Sequence, residues 1–270
     1  MLDPMTTKMA LCVGINYQGT PNQLGGCLND AADWAGVLTA RGYQVLTVTE
    51  RQATRQGILD ALETMRSKVG SRGRAVFTYS GHGTFLPDLD GDEVDGFDEA
   101  LVPIDYARSG VITDDDLFTV LSRRRTGSRW VSISDSCHSG TLSRALPTPL
   151  GLRVGAPRFL PPLEHLAGRA RDSALTALGG ADTPAVPRGL SRTSGVWMGG
   201  CQDDQVSYDA VIGGRGRGAF SAAALGSLAT GPSSFTQWHD RIRQVLPSSQ
   251  YPQTPQLQAS YTQRKWAPLD

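Results

Sequence analysis

No charge of one sign prevails in this 270-residue chain: 26 Lys and Arg stand against 26 Asp and Glu. A balanced chain has no global attraction for nucleic acid or an anionic membrane, so neither is expected as a partner and electrostatic recognition must be local. Cysteine is scarce, with four residues at positions 12, 27, 137 and 201 and no paired CxxC spacing. That usage argues against a disulfide framework and a thiolate zinc site, and fits a reducing cytoplasm. Long apolar runs are missing, since none approaches the roughly 20 residues that a membrane helix needs. No basic stretch with an apolar core opens the chain, so a leader is not expected, and Met5 offers a second start behind Met1. What is there is 39% hydrophobic residues, enough for one well-filled domain over 1–270 in a soluble, cytoplasmic protein.

The first half alternates β-rich runs with helical patterns. Strands are expected over 8–15 (KMALCVGI), 43–49, 74–80, 129–135 and, later, 195–201. Helices are expected over 28–42, 54–70, 112–124, 218–230 and 234–246. Thr54 and Thr113 stand as N-caps, the latter before three aspartates that suit the positive end of a helix, and Ser233 or Ser234 caps the last helix. Strands separated by helices of this length imply right-handed crossovers, hence a mainly parallel sheet in an α/β fold, covered on both faces. Residues 143–194 differ, being rich in Pro, Gly, Ala and Arg with only fragments of helical pattern. This stretch is expected to be a flexible insertion rather than a second domain.

Two apolar strands end at once in small, reactive residues: FTYSGHGT (77–84) and VSISDSCHSG (131–140). Ligands and catalytic groups collect beyond the carboxyl ends of parallel strands, so His82 and Cys137 can meet there. A thiol needs a base or a lowered pKa to act at neutral pH, and a histidine from a neighbouring strand end meets that need. The alternative is a buried thiol and a turn histidine. His138, though next to Cys137, is badly placed as its base, because consecutive residues of extended chain point to opposite sides.

YSGHG followed by DSCHSG, with His82 and Cys137 55 residues apart, resembles the caspase-like cysteine peptidases, and within them the metacaspases, including bacterial members. ALCVGINYQGTPNQLGGCLNDA (10–31), DGDEVDGFDEALVPIDY (90–106), GGCQDDQVSYD (199–209) and GAFSAAAL (218–225) extend the resemblance over most of the chain outside 143–194. The resemblance implies a caspase-hemoglobinase fold, with about six strands in a mainly parallel sheet flanked by helices. It also implies an endopeptidase that cleaves after Arg or Lys. Carried to matching positions, Cys137 is the nucleophile, His82 the general acid and base, and the N–H groups of Gly83 and Cys137 the oxyanion hole. A catalytically silent, partner-binding module of the same fold is the competing expectation. Metacaspases are typically monomeric, and a monomer is expected here.

Charge supports a basic P1 residue independently. Asp30 and Asp135 lining a partly dehydrated pocket favour a cation over an anion by several kcal/mol, on the order of a close ion pair. Ser80 and Cys27 match positions that line the same pocket in the family. The acidic loop fits an EF-hand only superficially. Asp88, Asp90, Asp92 and Glu99 fall at liganding positions, but Glu93 stands where glycine is required. The resemblance instead implies activating Ca2+ held by Asp98, Asp114 and Asp115, although Arg144 stands where some calcium-dependent members carry a further aspartate. Arg144, Arg153, Arg158, Arg169, Arg171, Arg188 and Arg192 in the insertion, and GGRGRG (213–218), are candidate sites of self-cleavage by an Arg-specific peptidase.

Overall fold

The computed structural model describes residues 7–87, 97–137, 155–162, 195–202 and 205–270. Its centre is a six-stranded sheet built from β1 (Lys8–Gly14), β2 (Gln44–Thr49), β3 (Arg74–Ser80), β7 (Arg129–Asp135), β9 (Val196–Gly199) and β12 (Gln256–Gln258), in the order β12-β9-β7-β3-β1-β2. All pairings are parallel except that of β12 with β9. Because side chains alternate across a strand, β1 feeds two cores at once. Met9, Leu11 and Val13 pack with Ile58, Leu62 and Met65 of α2 (Arg55–Lys68) on one face. Ala10 and Cys12 pack on the other with Ala31, Trp34 and Leu38 of α1 (Cys27–Ala40). Burial on both faces explains why β1 reads as a nearly continuous apolar run and why even the polar Thr78, Ser132 and Ser134 of β3 and β7 are buried. The expected mainly parallel six-stranded sheet flanked by helices is thus the architecture observed.

Two smaller sheets hang from the carboxyl ends of the central strands. One is antiparallel and consists of β4 (Gly83–Pro87), β5 (Phe97–Leu101) and β6 (Ile112–Thr113), with α3 (Tyr106–Ser109) between its last two strands. It leads into α4 (Asp114–Leu121), where Thr113 accepts from the Asp116 N–H and Asp116 reaches back to the Thr113 N–H, a complete capping box. The other contains β8 (Ala156–Pro157), β10 (Tyr208–Ile212) and β11 (Arg215–Gly218). Its β10–β11 turn uses Gly213 and Gly214, both at positive φ (63° and 77°), as a two-residue hairpin turn requires. Then α5 (Ala219–Leu228), α6 (Phe235–Arg243, capped by Ser234) and α7 (Tyr261–Arg264) complete the described chain.

Thr54 caps α2 as expected, through the Gly57 N–H at 3.0 Å. The two small sheets and β12 were not legible in the sequence, being two to five residues long and rich in Gly and polar residues. Among the described residues no helix is long and apolar enough to cross a membrane.

The junction between β1 and α1 leaves no room for a side chain. A Cβ on Gly14 would lie 2.5 Å from the Cys27 carbonyl oxygen and 2.8 Å from the Ala31 Cβ. Gly14→Ala is expected to destabilise the protein by about 1–3 kcal/mol, the usual cost of overpacking, read as a lower urea midpoint. An unchanged midpoint would contradict this packing.

Candidate active site

Parallel pairing of β3 and β7 sets Ser80 opposite Asp135, so the two strands end level and the next residues, His82 and Cys137, emerge side by side. His82 is held on all sides. Its backbone N–H donates to the Tyr17 hydroxyl (3.1 Å), its carbonyl accepts from the Tyr79 hydroxyl (2.8 Å), and its ring lies 4.7 Å from that of Tyr17. The His82 Nε2 is 2.8 Å from the carbonyl oxygen of Asn22. A carbonyl can only accept, so Nε2 carries the proton and Nδ1 carries the lone pair. Nδ1 is buried and has no hydrogen-bonding partner among the described residues. Burial lowers the imidazole pKa to about 4; the Asn22 carbonyl opposes that shift and the nearby Arg158 charge adds to it. A neutral imidazole with a free lone pair is the form a general base requires.

Cys137 is fully buried, and its sulfur lies against Ser207, whose N–H donates to Sγ while the thiol faces the Ser207 carbonyl at 3.4 Å. The same carbonyl accepts from the Arg158 N–H at 2.9 Å, which sets the thiol beside the Arg158 backbone. The Arg158 carbonyl oxygen in turn accepts from two N–H groups, those of Gly83 (3.0 Å) and Cys137 (3.1 Å). These are the two donors named from sequence, and they converge on one oxygen.

The composition of 143–194 predicts flexible chain, and residues 155–162 differ from that expectation. They cross the cleft as an extended strand. Ala156 and Pro157 pair antiparallel with Asp209 and Tyr208, and Phe159 forms a parallel bridge with Gly83. Arg158 is 0% exposed. Its guanidinium ends among three carboxylates: Nη2 is 2.7 Å from Asp30 and 3.0 Å from Asp209, and Nη1 is 3.1 Å from Asp135. A cation can be buried this completely only when it is paired and hydrogen-bonded, and here it is both.

Each carboxylate is fixed from a different element. Asp30 accepts from the Gly218 N–H, Asp135 from the Ser221 N–H (2.8 Å) and the Ser207 hydroxyl (2.5 Å), and Asp209 from the N–H groups of Gly25 and Gly26 at the start of α1. Burial raises the Asp30 pKa to about 6, with Arg158 opposing the rise and the neighbouring Asp135 adding to it. Asp30 lies within α1 rather than in a loop, and Gly26 holds the cap position. Cys27 and Ser80 are buried nearby; burial drives the Cys27 thiol pKa well up, against the pull of the Arg158 charge. The pocket floor needs glycine, since a Cβ on Gly218 would lie 2.0 Å from Asp135 and 2.4 Å from Arg158.

Sequence reasoning missed three participants. Asp209 was quoted only as part of GGCQDDQVSYD, and the signal was its place at the start of a polar strand ahead of the glycine hairpin. Ser207 and Gln253 carried no signal. The Gln253 amide donates to the Ser207 hydroxyl (3.1 Å) and the Gly200 carbonyl (2.8 Å), and its carbonyl accepts from the Tyr208 N–H (3.0 Å), which fixes this edge of the cleft. GGRGRG, expected as a candidate site of self-cleavage, lies in the β10–β11 hairpin, where Arg215 is exposed and both Arg215 and Arg217 pair with Asp33 at 3.0 Å. His138, Arg144, Arg153, Arg169, Arg171, Arg188 and Arg192 lie outside the described residues, as does most of the acidic loop. A separate apolar groove of about 930 Å3, lined by Val211, Ala223, Val245 and Tyr251, contains none of the residues above.

For Ca2+, Asp114 and Asp115 open α4, and Asp98 lies two residues before Ala100, which pairs with Thr113. The register therefore brings the three toward one end of the small sheet. Among the described residues, however, no group of three or more His, Cys, Asp or Glu is arranged to hold a metal ion. No chemical step is assigned to the ion.

The chain covers 97% of its length and 98% of the partner in superposition on the crystal structure of a Geobacter sulfurreducens protein, with a TM-score of 0.71 and 27% identity. Caspase-1 from Spodoptera frugiperda superposes with a TM-score of 0.55 over 96% of this chain and 91% of that one; at 12% identity this likeness speaks for the fold alone. Caspase-like architecture with a cysteine and a histidine at level strand ends defines the class. Residues 8–146 match the family described as "Metacaspase, peptidase C14 domain". Metacaspase-1 of Cryptococcus neoformans is 36% identical over 94% of this chain, and Metacaspase-1B of Neosartorya fischeri 34% over 96%. The chain therefore belongs to the metacaspase family of cysteine-type peptidases. It spans 62% and 70% of the lengths of those two relatives.

The buried environment of His82 generates a measurable expectation. In an NMR titration its imidazole should stay neutral through the physiological range and protonate only near pH 4. A midpoint at or above the ordinary histidine value of about 6.5 would contradict the burial and the tautomer described.

Proposed function

We propose that the chain is a cysteine endopeptidase that cleaves after arginine, with Cys137 as nucleophile and His82 as general base and acid, and that it cuts its own Arg158–Phe159 bond. One observation carries this reading: Arg158 is engaged at both ends, its guanidinium by three carboxylates and its carbonyl oxygen by the Gly83 and Cys137 N–H groups. A side chain that merely filled a core would not need its carbonyl aimed at paired donors beside a thiol.

The reaction then follows. His82 Nδ1 takes the thiol proton, and the Cys137 sulfur attacks the carbonyl carbon of the residue in the arginine position. Negative charge moves to the carbonyl oxygen, where the Gly83 and Cys137 N–H groups stabilise it at no reorganisation cost. The C–N bond breaks as His82 returns the proton to the departing amine, leaving a thioester on Cys137. Water, deprotonated by His82, hydrolyses the thioester and frees a carboxylate. The Asn22 carbonyl holds the Nε2 proton throughout, so proton transfer is confined to Nδ1.

Arginine is favoured over lysine in this pocket because its two terminal nitrogens diverge, Nη1 to Asp135 and Nη2 to Asp30 and Asp209. A lysine ammonium is a single point and cannot occupy both positions. An aspartate at P1 would add a fourth negative charge. The same features make protein or peptide substrates with basic P1 the proposed substrate class. The edge strand β12 is only three residues long, which supports a monomer, since short edges resist strand-to-strand pairing. Ca2+ enters as a proposed activator only, on the register that brings Asp98 toward Asp114 and Asp115.

Short fluorogenic peptides ending in Arg, Lys or Asp give the first measurement. Arg is expected to be hydrolysed fastest and Asp not at all. Cys137→Ala and His82→Ala should each lower kcat by at least about 10²-fold, His138→Ala much less, and a calcium chelator should slow the wild type. Absence of Cys137-dependent hydrolysis would favour the silent, partner-binding module; rates unaffected by the chelator would remove Ca2+.

Intact mass after incubation gives the second. A fragment ending at Arg158 is expected from the wild-type chain, and none from Cys137→Ala or Arg158→Ala. Cuts elsewhere with the Arg158–Phe159 bond whole would contradict self-cleavage at this position.

A further inference from the structure

We propose that specificity extends beyond the cleaved bond: the enzyme selects a large apolar residue, best an aromatic one, at P1′, followed by a buried aliphatic residue at P2′. This rests on the reading of Arg158 as the P1 residue.

The strand across the cleft divides sharply at the Arg158–Phe159 bond. On the amino side, the P3 and P2 residues Ala156 and Pro157 are exposed, so their side chains meet little that could discriminate among substitutes. On the carboxyl side burial returns, with Phe159 7% exposed and Leu160 1%. Phe159 sits in a small apolar cluster with Phe85, the Cys137 side chain, Cys201 and the partly buried Val206. Its ring stacks on that of Phe85 at 6.1 Å between centroids and 13° between planes.

The walls of this subsite belong to segments other than the strand that fills it. Phe85 lies on β4 two residues beyond Gly83, whose N–H is the oxyanion donor. Cys201 follows β9, and Val206 precedes Ser207, which holds the thiol. Main-chain bonds fix the register. Gly83 donates to the Arg158 carbonyl and accepts from the Leu160 N–H at 2.9 Å, which leaves Phe159 between them with no freedom to slide. Any substrate whose carbonyl reaches the two oxyanion donors therefore delivers its P1′ side chain against Phe85. A glycine there would leave the apolar walls uncovered, and an aspartate would bury a charge among them without a partner.

The test uses the full chain after self-cleavage and internally quenched peptides of sequence Gly-Ala-Pro-Arg-X-Leu with X as Phe, Gly or Asp, beside a fluorogenic Arg amide that has no P1′ residue. Expected is kcat/KM for Phe exceeding that for Gly by roughly tenfold or more, the range that apolar pockets reach, with Asp lowest. In Phe85→Ala the Phe-to-Gly ratio should fall toward one. A readout within the chain runs in parallel: self-cleavage after Arg158 should slow in Phe159→Gly and persist in Phe159→Leu. Equal kcat/KM for the three peptides, all cut after Arg, would overturn the P1′ subsite and leave the proposed function standing. No Cys137-dependent cleavage of any peptide, of the amide or of the chain itself would overturn both.

Discussion

A guanidinium with no solvent contact, surrounded by three carboxylates, is the constraint around which this cleft is organised. Burying any of these four charges alone would cost several kcal/mol, so none is tolerable without the others. Asp30 comes from α1, Asp135 from the end of β7 and Asp209 from β10, and each is further pinned by N–H groups of another segment. The ion cluster thus fastens the first helix, the central sheet and the small β10–β11 sheet to one point. The raised pKa of Asp30 reflects the expense of crowding acids in a dry site.

The cleft divides its tasks between backbone and side chain. Backbone groups of Gly83, Cys137 and Ser207 register the strand over 155–162 and hold the Arg158 carbonyl, while the carboxylates of Asp30, Asp135 and Asp209 hold its guanidinium. The strand is gripped by two different sheets, antiparallel by β10 before the arginine and parallel by β4 after it. That change of partner falls at the bond beside the thiol. His82 is held through its own main chain by Tyr17 and Tyr79 and through Nε2 by Asn22, which leaves Nδ1 as the ring nitrogen with no hydrogen-bonding partner among the described residues.

The central sheet was legible because strands buried on both faces are rich in apolar and β-branched residues, and those short runs stand out between helical patterns. The placement of His82 and Cys137 just beyond neighbouring strand ends was legible for a related reason: parallel neighbours of equal length end level, and the residues that follow them need no further information to come to the same edge of the sheet. Asp135 could be named because it stands two residues before Cys137, and Asp30 because it lies in GGCLNDA, a stretch that shares the family resemblance. Asp209 was hidden in a short polar strand whose formation depends on α1, β8 and the Gly213–Gly214 turn together. Arg158 was one arginine among seven in a proline-rich stretch, and composition alone predicts flexibility there. What orders residues 155–162 is the carboxylate cage from three distant segments, a tertiary cause that no local pattern encodes.

Under the proposed function, the arginine that fills the pocket is a ligand supplied by the same chain, and an external substrate must outcompete that resident before it can be processed. Hydrolysis of the Arg158–Phe159 bond would place a new carboxylate at Arg158 within a pocket already rich in negative charge and would separate the two halves of the gripped strand. Under the proposed function, the first turnover of each molecule converts a standing competitor into two weaker ones. Onset of activity toward other proteins would then follow a molecule's own internal clock, set by a unimolecular rate and therefore independent of how many copies surround it.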